Sequence, residues 1–306
     1  MVTYMHNSTD AESHTGRAKA RDLELFLEHA ESYGAPESPK NARGDVPMLW
    51  DVTRGMVERF IAWRLSEGDA PSTVNRRLAT VRHFAASCER TFPDFRSEVT
   101  GIRGIDAEPP VPLSFSDDEM FRLRAAAMKH PEPFRARRAR LILELGASMG
   151  LRCFEMTGLT IASFFPDGLA IRGKGRKFRQ LPIHPRVRTA HALYMPERLA
   201  IGPGLPHLPL LVASWPRQMT VKRLNEKTVY TLIRELGDAA GVEHAHPHRL
   251  RHTFVKKLLE TSGNNMALVA YAARHSNIQS TLRYATPFRT ELEAAFANMD
   301  CDDDET

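Results

Sequence analysis

His246-Pro247-His248-Arg249-Leu250-Arg251-His252-Thr253-Phe254, followed by Arg274-His275-Ser276-Asn277-Ile278-Gln279-Ser280-Thr281-Leu282-Arg283-Tyr284, is the densest concentration of histidine, arginine and tyrosine in the sequence. Pro247 suits the first turn of a helix, where its missing N–H costs nothing. Leu250, Phe254 and Leu258 then fall at four-residue steps and predict a buried stripe. His248 and Arg251, three apart, share a face close to a helix N-terminus, which favours an anion. His252 falls one turn on, beside apolar residues, and reads as structural. The grouping of His244, His246, His248 and His252 raises a zinc site as a rival. His248 and His252 have i, i+4 spacing, but the glutamate of an H-E-x-x-H motif is absent and Arg251 would stand beside the metal. No metal is expected.

Tyr284 follows His275 by nine residues, on a short helix or turn that ends before Pro287. A lone tyrosine is ordinarily a core or surface residue, and a phenol of pKa near ~10 is a poor nucleophile unless activated. Several cations around one phosphate would supply the activation, neutralising its charge and favouring the phenolate.

Groups of that type also lie upstream. Residues 135–149 predict a helix with Leu141, Leu145 and Met149 inward, ended by Gly150 as a left-handed residue. Arg152 and Glu155 then share a helix face, so the glutamate could orient an arginine bound to a phosphate; the bland alternative is a surface ion pair. Leu169-Ala170-Ile171-Arg172 and Phe178-Arg179-Gln180-Leu181-Pro182-Ile183 predict a β-hairpin whose tip, Gly173-Lys174-Gly175-Arg176-Lys177, carries three cations. Residues 168–174 fit G-x-x-x-x-G-K, but Gly175 stands where a phosphate loop needs Ser or Thr and a strand follows, so a nucleotide loop is rejected. Residues 186–194 predict a helix, 195–223 a long proline-containing connection around Leu210-Leu211-Val212, and 228–240 a further helix ending near Gly241.

The first third of the chain predicts three helices. One covers roughly 18–33, with Leu23, Phe26, Leu27 and Ala30 at helical spacing; one follows Thr53 as N-cap; one follows Pro71-Ser72, with Val74, Leu78, Val81 and Ala85 inward. Arg76 and Arg77 fall mostly on its other side and could grip phosphates, or form an ordinary solvated face. Prolines and glycines across 93–115 mark a domain boundary, after which Ser116 and Glu119 form a capping box. Residues 288–299 place Leu292, Phe296 and Met299 on one helical face, to dock on their own domain or on a neighbouring copy.

With 42% hydrophobic and 26% charged residues, the chain has the composition of a soluble globular protein, and its 306 residues suffice for two domains. Residues 300–306 hold five acids and no base, so the formal charge of +5 becomes +10 on residues 1–299, which favours a polyanionic partner. Cys88, Cys153 and Cys301 form no C-x-x-C pair and indicate neither a disulfide framework nor a cysteine zinc site. No apolar run approaches the ~20 residues that span a bilayer, so a cytoplasmic protein is expected, without a membrane association.

Four boxes together resemble the tyrosine recombinase/integrase family, which includes phage integrases and Xer-type site-specific recombinases. Gly150 to Glu155 resembles the family's first arginine box, Gly173 to Arg179 its hairpin lysine segment, Pro247 to Thr253 its H-x-L-R-H-T box, and His275 to Tyr284 its last. They occur in the family's order, and the resemblance covers about 116–290; the N-terminal region matches only by size, position and helix pattern. The resemblance implies a mainly α fold with a small antiparallel β-sheet or hairpin in an α+β catalytic domain. An N-terminal all-α helical bundle would complete a C-shaped clamp on DNA. The expected domains are a flexible arm at 1–17, a core-DNA-binding domain at 18–105, a linker at 106–115, the catalytic domain at 116–299 and an acidic tail at 300–306.

The implied activity is site-specific cleavage and rejoining of double-stranded DNA, in integration, excision or resolution, with two protomers per site and four in synapsis, associated with the nucleoid. Tyr284 would form a 3′-phosphotyrosine, with Arg152 and Arg251 on the non-bridging oxygens and Lys174 protonating the leaving 5′-oxygen. His248 would assist proton transfer, His275 would bond the phosphate, and Glu155 would support the arginines. Arg176 and Lys177 join Arg76 and Arg77 as candidate DNA contacts, and Lys177 is the alternative general acid. Neither ATP, metal nor other cofactor is implied. A silent DNA-binding protein of the same fold and a type IB topoisomerase-like relaxing enzyme are the alternatives. One departure stands out: the usual Leu-Gly before the late histidine is here Ala273-Arg274.

Overall fold

Apolar residues at three- and four-residue steps become buried helix faces in both units into which the chain divides, Met1–Pro109 and Pro110–Thr306. The structure is a computed structural model that describes residues 14–32, 51–93, 95–106, 112–172, 178–213, 221–275, 279–282 and 284. Of the flexible arm expected at 1–17, residues 1–13 lie outside the described residues, as do the hairpin tip at 173–177, the segment 288–299 and the acidic tail, whereas 14–17 are already helical and start the first helix earlier than its apolar spacing suggests.

The first unit is built on α1 (His14–Ser32), α2 (Arg54–Ser66) and α3 (Pro71–Thr91). Thr53 caps α2, its Oγ1 accepting from the Met56 amide at 3.3 Å. Leu23 and Phe26 of α1, Val57 and Phe60 of α2, and Leu78, Val81 and Phe84 of α3 share one core. Two-residue strands β1 (Asp51–Val52) and β2 (Arg96–Ser97) pair in parallel. The two arginines of α3 named as candidate phosphate contacts both make ion pairs inside this unit. Arg77 lies 3.2 Å from Asp69 with a side chain only 12% exposed, and Arg76 is bonded to the buried Asp22. Both cations therefore hold elements of this unit together, and only Arg76 keeps half its side chain in solvent.

In the second unit, α4 (Asp117–Met128), α5 (Pro133–Ala147), α6 (Cys153–Gly158), α7 (Pro185–Ile201), α8 (Glu226–Ala240) and α9 (Pro247–Thr261) surround one large core. The antiparallel sheet runs in the order β3 (Phe164–Phe165), β4 (Gly168–Arg172), β5 (Phe178–Leu181). The Ser116–Glu119 capping box starts α4, with hydrogen bonds of 2.7 and 3.1 Å. Leu141, Ile142, Leu143 and Leu145 are fully buried, so the C-terminal half of α5 is enclosed on all sides. Glu144 is buried within it and is ionised at little cost, because Arg124, Arg140 and Ser148 bond its carboxylate at 2.8–3.2 Å. A Cβ on Gly146 would stand 2.8 Å from Leu250, so this glycine lets α9 press against α5.

Two expectations fail here. Residues 195–201 are not connection: α7 runs through Pro196. Proline forfeits one helical hydrogen bond. However, buried Tyr194 and Arg198 bond the carbonyls of Leu210 and Pro209 at 3.0–3.1 Å, and this packing overrides the local propensity. On α9 the deepest residues are Leu250, Val255 and Leu259, while Phe254 and Leu258 are half-buried. The inward stripe turns because α9 faces two neighbours, α5 and then α10 (Met266–Ala273). A short α11 (Gln279–Leu282) ends next to Tyr284. No helix among the described residues is long and apolar enough to cross a membrane.

Candidate active site

Three chain reversals bring the site together: the turn after α5, the start of α9, and the turn after α10. Gly150, at φ +62°, occupies the left-handed region expected of it, and its carbonyl becomes the shared acceptor of the site. Arg251 and Arg274 both donate to it, the latter at 2.8 Å. Arg251 also donates to the Ala273 carbonyl at the end of α10, so its buried guanidinium joins two of the three turns.

Glu155 opens α6 by accepting from the Arg152 amide at 2.8 Å, and its other oxygen lies 3.3 Å from Arg152 Nη1. The same carboxylate receives Arg274 Nε at 3.1 Å and Nη2 at 2.9 Å. Arg152 keeps 31% of its side chain exposed, so it is held at its base and open at its tip. The i, i+3 pair of Arg152 and Glu155 is thus part of a buried network.

His275 Nδ1 lies 2.7 Å from the Oγ1 of fully buried Thr281, and the Tyr284 amide donates to the Thr281 carbonyl at 3.0 Å. The Tyr284 hydroxyl is in hydrogen-bond contact with Nδ1 of His252, the two rings 5.6 Å apart. His252 therefore meets the phenol, in place of the apolar surroundings expected of it. His248, on the same helix, is exposed and close to Arg251 and Arg152. α9 itself is pinned from behind: buried Arg249 bonds Glu119 at 2.7 and 2.9 Å, and Thr253 Oγ1 accepts from the Phe115 amide at 2.7 Å.

Electrostatics show what the arrangement wants. Burial, then Arg152 and Arg274, pull the Arg251 pKa down to about 9. Burial, then neighbouring cationic groups, lower His252 and His275 to about 4 each. Partial desolvation, then Arg251 and Arg152, lower His248 as well. Burial opposes the charge on Glu155, but Arg274 and Arg152 overcome it and keep the carboxyl below its usual range. One carboxylate serves three arginines, so positive charge is in excess and an incoming anion relieves it. At neutral pH His252 is an uncharged ring able to accept a proton.

The structure thus brings together Arg152, Glu155, His248, Arg251, His275 and Tyr284. Lys174, Arg176 and Lys177 lie outside the described residues. His252 and Arg274 are additional members. The i, i+4 spacing from His248 was a signal for the first, and the replaced Leu-Gly for the second. Among the described residues no three His, Cys, Asp or Glu side chains are grouped as a metal ion requires.

The chain is similar to known proteins in sequence and in fold. The chain is 28% identical over 283 residues to the tyrosine recombinase XerC of Pseudomonas savastanoi pv. phaseolicola, covering 92% of this chain and 88% of that one. It is 27% identical over 287 residues to XerC of Pseudomonas aeruginosa strain LESB58, covering 92% and 87%. Among solved structures, the fold is similar to the XerH site-specific recombinase bound to palindromic difH substrate in a post-cleavage complex. There the TM-score is 0.71 at 18% identity, over 92% of this chain and 79% of that one. It is also similar to a lambda integrase dimer bound to a COC′ core site, with a TM-score of 0.63 at 14% identity, over 91% and 96%. Residues 114–291, which carry every group of the described site, match the phage integrase family model, and the chain belongs to that family of tyrosine recombinases.

Proposed function

We propose that this enzyme cleaves and rejoins DNA at specific sites through a 3′-phosphotyrosine at Tyr284. The observation that carries the reading is the contact of the Tyr284 hydroxyl with a neutral His252 beside the Arg152–Arg251–Arg274 cluster. The phenol proton passes to His252 Nδ1 as the oxygen attacks phosphorus. The new Oη–P bond forms as the P–O5′ bond breaks, and Lys174 protonates the departing oxygen. Arg152 and Arg251 hold the non-bridging oxygens, where charge grows in the transition state. His275 donates to the same phosphate, and His248 supports it from the exposed side.

The phosphodiester energy is kept in the protein–DNA ester, so a second 5′-hydroxyl reverses the step without ATP or metal. The partner is duplex DNA, bound by two protomers per site and by four in the exchange complex, in the cytoplasm. The test is a suicide duplex carrying the cognate site. An SDS-stable adduct attached to the 3′-phosphate and lost in Tyr284→Phe is expected. DNA binding without any adduct indicates a silent binding protein, and relaxation of plasmids lacking a site indicates a topoisomerase-like activity.

A further inference from the structure

Arg274 sits where a side chain is conformationally disfavoured. It follows α10 at φ +56°, in the left-handed region that costs every residue except glycine. Its guanidinium offsets that cost with four acceptors: both Glu155 oxygens at 3.1 and 2.9 Å, the Gly150 carbonyl at 2.8 Å and the Ala272 carbonyl at 2.7 Å. The residue is 8% exposed and each of its three nitrogens is engaged, so it is not placed to reach a substrate itself. What it touches does reach the site. Glu155 holds the Arg152 backbone and guanidinium, and the Gly150 carbonyl holds Arg251.

We propose that Arg274 is a positioning residue of the cleavage reaction, fixing Glu155 and Gly150 so that Arg152 and Arg251 point together at the scissile phosphate. The proposal rests on the phosphotyrosine reading above and names the element that aligns its two phosphate-binding arginines. A bidentate guanidinium–carboxylate fork suits this role, because two parallel bonds fix direction as well as distance. A water or a small residue at the same place would satisfy neither Glu155 nor the Gly150 carbonyl in that way. The charged groups around the Glu155 carboxylate are Arg152, Arg251 and Arg274, and Arg274 contributes most to keeping it ionised against burial. Its loss must therefore raise the Glu155 pKa, and protonation then weakens the hold on Arg152.

The test is single-turnover adduct formation at saturating DNA, followed against pH, with folding checked by thermal melting. Arg274→Gly removes the fork and suits the backbone conformation. It should slow cleavage about 10- to 100-fold, the range typical of groups that orient a first contact. DNA affinity should change little, and the deficit should deepen as pH falls. Arg274→Lys retains the cation, so it should recover part of the rate with a pH-independent deficit. Arg274→Gly with Glu155→Gln should be slow at every pH, with no buried carboxyl left to titrate. If Arg274→Gly fails to fold, Arg274→Lys carries the comparison alone, and a full wild-type rate in it would overturn the proposal, because lysine cannot make the two-bond fork to Glu155. Wild-type rate and pH profile in Arg274→Gly would overturn the proposal, as would equal, pH-independent losses in all three variants. A wild-type protein that forms no adduct overturns instead the reading on which the proposal rests.

Discussion

Gly150→Ala probes the hinge on which the site turns. The residue is at φ +62°, where an alanine Cβ costs about 1–2 kcal/mol. That Cβ would also stand 2.3 Å from the Phe254 ring, closer than any real contact. Phe254 is half-buried and must shift to make room, an overpacking cost of about 1–3 kcal/mol. The two together come to about 3 kcal/mol, which for a unit of this size lowers Tm by roughly 10 °C. Circular dichroism melts of the wild type and the variant measure it. Phe254→Ala in the same background should return the packing part and leave the backbone part, a coupling of about 1–2 kcal/mol in a double-mutant cycle. Adduct formation well below Tm should fall further than stability explains, because the displaced carbonyl anchors Arg251 and Arg274. A melt within about 2 °C of wild type would refute the reasoning, since neither the left-handed backbone nor the clash would then exist.

Glu144→Ala should cost about 3 kcal/mol at pH 7, because it removes the buried partner of the half-buried Arg124 and leaves a void. Burial opposes ionisation of Glu144, but the hydrogen bond and charge of Arg124, with Ser148 and Arg140, hold its pKa below 4.5. Its stabilisation is thus complete above the unfolded value near 4.5 and is lost as pH falls through the folded one, so wild-type and variant urea midpoints should converge in acid. A gap that stays constant down to about pH 3 contradicts this. His252→Ala should slow adduct formation about 100-fold, the effect expected of a general base, and by more than His248→Ala does. The opposite ranking would return proton transfer to His248.

How much of this was legible from sequence depends on the kind of force involved. Capping and turn chemistry are local, so Thr53, the Ser116–Glu119 box and left-handed Gly150 and Gly241 stand where residue type alone puts them. The hairpin strands were equally readable from alternation, although β5 stops at Leu181, before Pro182. Pro196 misled because the contacts that carry α7 past it come from Pro209 and Leu210, beyond any local window. Phe254 and Leu258 misled because a helix with two neighbours has more than one inner face. In the site, spacing grouped Arg152 with Glu155 and His248 with Arg251. It was silent on the Gly150 carbonyl, which joins those pairs and has no side chain to read. His252 reads as structural in the sequence because its role depends on the chain returning through α11 to put Tyr284 against it.

The central claim is that Tyr284 is the nucleophile, and peptide mapping of the trapped adduct tests it most directly. The complex formed on a suicide duplex is digested with protease and nuclease, and the modified peptide is sequenced by tandem mass spectrometry. The account predicts a nucleotide phosphate on the tyrosine of the peptide containing Thr281-Leu282-Arg283-Tyr284, and none in Tyr284→Phe. A phosphate on Tyr271 or Tyr230, both exposed, or on any side chain other than Tyr284, would contradict it.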